Sequence, residues 1–285
     1  MYTSNGYELS ADRDRLGDLE PVPAALRNDR AALRERLERD GYLFLRGALD
    51  RHVVLDFRRY YFDALAGTGV SGDERDEHGA LGRTTDEPLD HAAFRHRLFR
   101  DIVPGGQYAA FCTQPAVRDW YAWFLGGAPF LHRRKIIRHL APAERGIGTA
   151  TQAHYDLLYL RGGSESVLSS WIPLGDTPIA RGGLTYLEHS HHHVRLEESQ
   201  RTGKRPPDNM TPDLPGLADE HDSRWLVADY AAGDMVVHTS HTIHAALDNT
   251  DPDGFIRLST DIRYQRADAA IDGRWQNDWH PDDGL

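Results

Sequence analysis

The chain is poor in three things, and each shortage narrows what it can be. Cys112 is its only cysteine in 285 residues, which excludes an intramolecular disulfide and any cluster of thiolate metal ligands. Lysine occurs only at Lys135 and Lys204; with arginine supplying the rest, we read this as the codon bias of a GC-rich genome. Positive charge is in deficit, with 33 basic against 44 acidic residues and a net charge of −11. That balance argues against a nucleic-acid or anionic-membrane surface. No run approaches the roughly 20 apolar residues that span a bilayer. The opening Met-Tyr-Thr-Ser-Asn-Gly-Tyr-Glu has neither the basic start nor the apolar run of a secretion signal. The expectation is a cytoplasmic protein without nucleic-acid or membrane partners.

What is present is enough for a sizeable core, since 40 % of residues are hydrophobic and evenly spread. Residues 1–22 read as an irregular, Pro-bounded leader. Helices are expected at 27–40, near 51–65 behind Asp50 as N-cap, at about 90–102 and at 115–125. A short apolar strand, 42–46, lies between the first two. Residues 68–88, rich in Gly, Asp and Glu, read as a mobile loop able to cover a site. From Pro129 the texture becomes short strands separated by turn residues, at 130–140, 153–160, 166–173, 183–188, 225–230, 234–239, 243–247 and 256–265. The Pro-rich 195–224 reads as an insertion and possible lid without a core element. The plan is one α+β domain over 1–285, with a helical part at about 23–127 and a mainly β core, a sandwich or barrel, at about 129–265.

The chemistry centres on His154-Tyr155-Asp156. On an extended strand, positions two apart share a face, so an imidazole and a carboxylate can meet at one point. With a distant second histidine this is the pattern of a 2-His-1-carboxylate triad, which leaves coordination positions of Fe(II) open. His244 is the preferred second histidine, with His241 in the preceding turn as its rival and His238 facing the wall or core. Arg257 and Ser259 share a strand face further on and could clamp one carboxylate between a guanidinium and a hydroxyl. A dicarboxylate co-substrate held on a metal at one end needs such a clamp at the other.

These residues, with Trp171-Ile172-Pro173-Leu174, Gly182-Gly183-Leu184-Thr185-Tyr186-Leu187, Ser190-His191, Gly233-Asp234, Asn249 and Asp40–Arg46, occur in the order seen in the phytanoyl-CoA dioxygenase family. The chain resembles that family over about 27–265. The resemblance implies a double-stranded β-helix (jelly roll) with helices packed outside, and dependence on Fe(II), 2-oxoglutarate and O2. It implies that His154, Asp156 and His244 bind iron, that Arg257 binds the far carboxylate of 2-oxoglutarate, and that Trp171 lies beside the co-substrate. Glu188-His189-Ser190-His191 replaces the family's usual Gly-Ser-His. Related halogenases carry a small residue in place of the carboxylate, so Asp156 points to hydroxylation of a small molecule, with release of succinate and CO2. The rival readings are a cupin-like metalloenzyme without 2-oxoglutarate, a non-catalytic ligand-binding jelly roll, and a protein hydroxylase.

Other features are assigned blander roles. The His189–His193 run reads as a solvated loop. Trp120, Trp123 and Phe124 read as a packing face and Cys112 as a buried small residue. Lys135 and Arg138 could reach 2-oxoglutarate or an acidic substrate, or form structural ion pairs. Gln152 could support the site, and some of Tyr155, Tyr159 and Arg161 should line the pocket.

Overall fold

Short carboxylates start the helices. In the computed structural model, which describes residues 2–72, 82–142, 147–203, 209–283 and 285, Asp29 accepts two backbone amides at the head of α1 (Arg30–Asp40). Asp90 does the same for α3 (His91–His96), and Asp50 accepts one, from His52, for α2 (Arg51–Ala64), which satisfies amides without intrahelical partners. The expected 90–102 helix is thus divided: α3 passes into wider π turns over Arg97–Ile102. Beyond it lies a helix the sequence reading missed, α4 (Gly106–Cys112), which buries Tyr108, Phe111 and Cys112 on one face. Its N-cap is Gly105, without a side-chain cap, and Gly106 is its first residue, so no local signal marks its start. The last helix of this group, α5 (Pro115–Leu125), ends at left-handed Gly126; Trp120 stacks on Phe124, whereas Trp123 is exposed.

The strands form two main sheets. In chain order they are β1 (Thr3–Ser4), β2 (Tyr7–Glu8), β3 (Leu16–Asp18), β4 (Tyr42–Leu45), β5 (Pro129–Leu131), β6 (Ile136–Leu140), β7 (Leu168–Pro173), β8 (Leu184–Leu187), β9 (Trp225–Val227), β10 (Met235–Thr239), β11 (His244–Ala246) and β12 (Arg257–Arg266). One sheet runs β4-β10-β7-β12-β5 with β6 also on β12, and the other runs β11-β8-β9-β3. Between them lies a cluster fed by both, including Phe44, Trp171, Val236, Tyr186, Leu226 and Ala246. This is the double-stranded β-helix expected from the resemblance.

Alternation along β12 sorts its residues into two roles. Leu258 and Ile262 face outward into the helical cluster with Val237 and Ile172, because side chains alternate across a strand. Two polar outward residues are matched by helix tyrosines: Thr260 by Tyr108 and Ser170 by Tyr121, each at 2.6 Å. The other face of β12 carries Arg257, Ser259, Asp261, Arg263 and Gln265 into the barrel.

Four expectations need correction. The leader is not irregular, since β3 pairs in parallel with β9 and extends the smaller sheet. The expected 130–140 strand is two: Leu131 lies opposite Tyr264 and Ile136 opposite Asp261, so two surplus residues break it on a partner that stays continuous. The 195–224 stretch contains most of α6 (Ser190–Gln200) and all of α7 (Leu214–Glu220), which buries Leu214, Leu217 and Ala218. The histidine run opens α6, and His191 is buried against the Glu38 carbonyl at 2.9 Å. Gly41 makes room for it: its φ is +78°, and a Cβ there would lie 2.5 Å from His191 Nδ1. The centre of the 68–88 loop lies outside the described residues, and its described flanks border the 254–256 turn. Cys112 is buried as expected, and burial pushes its thiol up to about 12.

Ile262 is fully buried between β12 and the helices. Ile262→Ala should lower unfolding free energy by about 2–5 kcal/mol, read from urea denaturation.

Candidate functional site

His154 and His244 come together because their backbones pair. Each donates its amide to the other's carbonyl, at 3.1 and 2.9 Å, in an isolated antiparallel bridge. The expected 153–160 strand does not exist beyond this point. Tyr155 is extended and Asp156 then opens a 3-10 turn, Asp156–Leu158, anchored by the Leu157 amide on the Ser240 carbonyl at 2.8 Å. His154, Asp156 and His244 nevertheless converge, with one donor atom of each within 4.8 Å of the others. His241 is elsewhere, its Nε2 3.5 Å from Glu165.

Both imidazoles are oriented by the same device. His154 Nδ1 donates to the Gln152 carbonyl and His244 Nδ1 to the Thr242 carbonyl, each at 2.9 Å. A ring that donates from Nδ1 presents Nε2 as a lone pair, so both rings are preset as metal donors. Burial lowers the pKa of His154 and, with each other's nearness and His238, holds His244 well below the usual histidine range. Both are neutral, as metal binding requires.

Asp156 is fixed from two sides. Arg263 Nη2 donates to Oδ1 at 3.0 Å and the Ser169 hydroxyl donates to Oδ2. Burial alone would raise its pKa, but Arg263, with His238 and His244, outweighs this and holds the carboxyl well below the usual range. His238 stands directly behind, inside the barrel as expected of it. Its ring centroid is 4.4 Å from that of His244, and its Nε2 faces Asp156 Oδ2 at 3.5 Å, too far for a well-formed hydrogen bond. Neutral nitrogens and one carboxylate, all aimed at a common point, are a donor set that fits Fe(II).

A cavity of about 510 Å³ opens from this point, and Arg257, Trp171, Gln152, Tyr159 and Arg138 line it. Arg257 is buried, and its Nη1 donates to Ser259 Oγ at 2.6 Å. Burial pulls its pKa down to about 10, with Asp261 opposing and Arg138 assisting, so it stays charged at neutral pH. Its Nε has no partner among the described residues. A buried guanidinium with one hydroxyl for company is fitted to an incoming carboxylate.

Not every candidate lies here. Lys135 points to the helix side, donating to the Arg133 carbonyl at 3.0 Å and lying over the Tyr108 ring. Tyr155 and Arg161 turn away to Glu198 of α6, which accepts from the Tyr155 hydroxyl and, at 2.7 and 2.9 Å, from Arg161. Of the 195–224 stretch, Asn209 borders the cavity among the described residues. The sequence reading missed Arg263 and Ser169 as carboxylate partners, and Trp275 and Trp279 as cavity walls. The signal for Arg263 is the strict polar alternation of β12, continued six residues past Arg257.

Arg263→Met should weaken Co(II) binding by about 10–100-fold while far-UV circular dichroism stays native; unchanged affinity would mean Asp156 needs no such support. Glu198, pulled down to about 2 chiefly by Arg161, has a folded pKa below its unfolded one. The stability it contributes is therefore full above the unfolded value and is lost as pH falls toward 2. In urea titrations the stability gap between wild type and Glu198→Gln should shrink by roughly half or more between pH 7 and pH 3.

Comparison with known proteins agrees with this geometry. The family model described as phytanoyl-CoA dioxygenase matches residues 37–257. The 1-deoxypentalenic acid 11-beta-hydroxylase of Streptomyces arenae is 26% identical over 258 residues, covering 85% of this chain and 83% of the relative. Its counterpart from Streptomyces exfoliatus is also 26% identical, with the same coverage. Among solved structures, the epimerase SnoN, in complex with Fe3+, alpha ketoglutarate and nogalamycin RO, superposes with a TM-score of 0.58 at 24% identity, covering 85% of this chain and 87% of its own. EctD from S. alaskensis, with 2-oxoglutarate and 5-hydroxyectoine, gives 0.56 at 16% identity, covering 95% and 89%. At these identities the structural likeness bears on the fold alone. With the sequence match spanning most of the chain and the same order of motifs on a jelly roll, the protein belongs to the phytanoyl-CoA dioxygenase family of Fe(II)- and 2-oxoglutarate-dependent oxygenases.

Proposed function

We propose that the chain hydroxylates a small molecule, with His154, Asp156 and His244 holding iron(II) and Arg257 holding the far carboxylate of 2-oxoglutarate. One observation carries this reading: two neutral imidazoles and one carboxylate converge within 4.8 Å in a cavity that also presents a buried, nearly unpartnered guanidinium. Iron(II) with 2-oxoglutarate and O2 supplies C–H oxidation coupled to release of succinate and CO2. The protein's own share is placement and exclusion. The Gln152 and Thr242 carbonyls fix the two imidazole tautomers, Arg263 and Ser169 fix the carboxylate, and Ser259 fixes Arg257. Trp171, buried and edge-on to Tyr230, gives the co-substrate a rigid wall. The named activity of the two Streptomyces relatives, hydroxylation of 1-deoxypentalenic acid, supports a small metabolite as substrate. Asp156 supports hydroxylation over halogenation, because it fills the position a halide would need.

An anaerobic titration with Fe(II) and 2-oxoglutarate, followed by visible absorption, tests this. A charge-transfer band should need both additions. It should vanish in His244→Ala, and Arg257→Ala should weaken 2-oxoglutarate binding by about tenfold or more. Asp156→Ala should abolish substrate-coupled succinate formation. Full intensity in His244→Ala would remove that ligand from the site, and tight Zn(II) binding without any band would favour a metalloenzyme that does not use 2-oxoglutarate.

A further inference from the structure

Four guanidiniums and two acidic side chains line the cavity beneath its rim, and one guanidinium has no acidic side chain at contact distance among the described residues. Arg134 is held by Asp283 through two contacts of 2.9 Å. Arg263 is held by Asp156. Arg257 is set by Ser259 for the co-substrate. Arg138, on β6, lies directly opposite Ser259, so it shares the inward face with Arg257 and Asp261. Its side chain makes no hydrogen bond or ion pair among the described residues, and it lies over the Trp279 ring, whose centroid is 5.8 Å from Cζ.

Arg138 is exposed to the cavity it borders, and the protein packed around that opening pulls its pKa down. It nevertheless remains charged, and nothing described in the protein neutralises it at contact distance. Asp261 acts on it only through space and acts on Arg257 and Arg263 as well. At the rim, Arg95 is taken by Asp282 at 3.2 Å. His139, pushed down to about 4 by burial, adds no charge to the cavity at neutral pH. With iron(II) and the dianionic co-substrate in place, a divalent ion, Arg138, Arg257 and Arg263 face four carboxylates, those of Asp156, Asp261 and 2-oxoglutarate. One positive charge is in excess, and it lies at Arg138.

The walls around that charge are apolar. Phe94, Leu98 and Phe99 come from α3 and the π turns, and Trp275 and Trp279 from the tail. We propose that the substrate is an apolar carboxylic acid whose carboxylate docks on Arg138 while its body packs against Phe94, Phe99 and Trp279. A single surplus charge matches a carboxylate; a phosphate dianion would need a second free cation. The inference rests on the reading that Arg257, and not Arg138, receives 2-oxoglutarate.

The test uses the full chain, anaerobic, with Fe(II) and 2-oxoglutarate, and two probes with one hydrocarbon cage: 1-adamantanecarboxylic acid and 1-adamantanecarboxamide. Tryptophan fluorescence reads probe binding, and the visible band separately reads 2-oxoglutarate. The acid should bind about tenfold or more tighter than the amide. Arg138→Gln should bring the two within about twofold and leave 2-oxoglutarate affinity within about threefold of wild type. Equal affinity of acid and amide in the wild type, or no binding of either, overturns the proposal. So does loss of 2-oxoglutarate affinity in Arg138→Gln with Arg257→Gln unaffected, which makes Arg138 the co-substrate clamp. Absence of the visible band in wild type defeats instead the 2-oxoglutarate reading beneath it.

Discussion

A carboxylate placed inside a barrel must have a cation, and here Arg263 is that cation. Asp156 is nearly inaccessible to solvent, and taking an isolated carboxylate out of water costs far more than a fold of marginal stability can carry. Arg263 at 3.0 Å offsets that cost and leaves Asp156 ionised. A buried pair of this kind is weak evidence for stability, since an apolar pair of similar volume often does as well. Its value lies in the chemistry: Arg263 opposes the burial that would favour the protonated form of Asp156, and it keeps the carboxylate in the state the proposed metal role requires.

The same logic governs the neighbours. Neutral His154 and His244 present Nε2 lone pairs to the cavity, where only a metal or water can satisfy them. The site therefore lowers the stability of the empty protein, and any metal that binds the folded state alone raises it by mass action. Restraint from outside keeps the geometry in the meantime. The Tyr155 hydroxyl is held by Glu198 of α6, so the residue between two proposed ligands cannot turn. α6 is in turn held on α1 through His191 and the Glu38 carbonyl, an approach that Gly41 permits.

Much of this is legible in the sequence, and the reasons for the rest are physical. The helix caps Asp29, Asp50 and Asp90 act locally, and two of the three helices were placed within a few residues from local pattern. His154, Asp156 and His244 were identifiable from motif order, although the period-two argument for the first pair fails: a bridge and a 3-10 turn, not a strand, bring them together. α6 and α7 were missed because His and Pro were read as loop markers, and α4 because nothing marks its start, whereas burial against neighbours decided the outcome. Lys135 and Arg138 looked equivalent on the chain. They part because Lys135 lies in the break between β5 and β6 and turns back to the Arg133 carbonyl, whereas Arg138 lies on β6 opposite Ser259, and that register puts it on the cavity face.

That register also explains how one strand serves both fold and site. The outward residues of β12, Leu258 and Ile262, join the helical core, while the inward residues, Arg257, Ser259, Asp261 and Arg263, carry charge into the lumen. Packing constrains the first set by volume and contact, and the second by electrostatic balance. The two constraints meet only at the backbone, so an inward residue can change partners without disturbing the outward packing. Arg138 faces the same lumen from β6 and obeys the same rule. Its charge is balanced by nothing described in the chain, so its partner is to be sought in what the cavity binds.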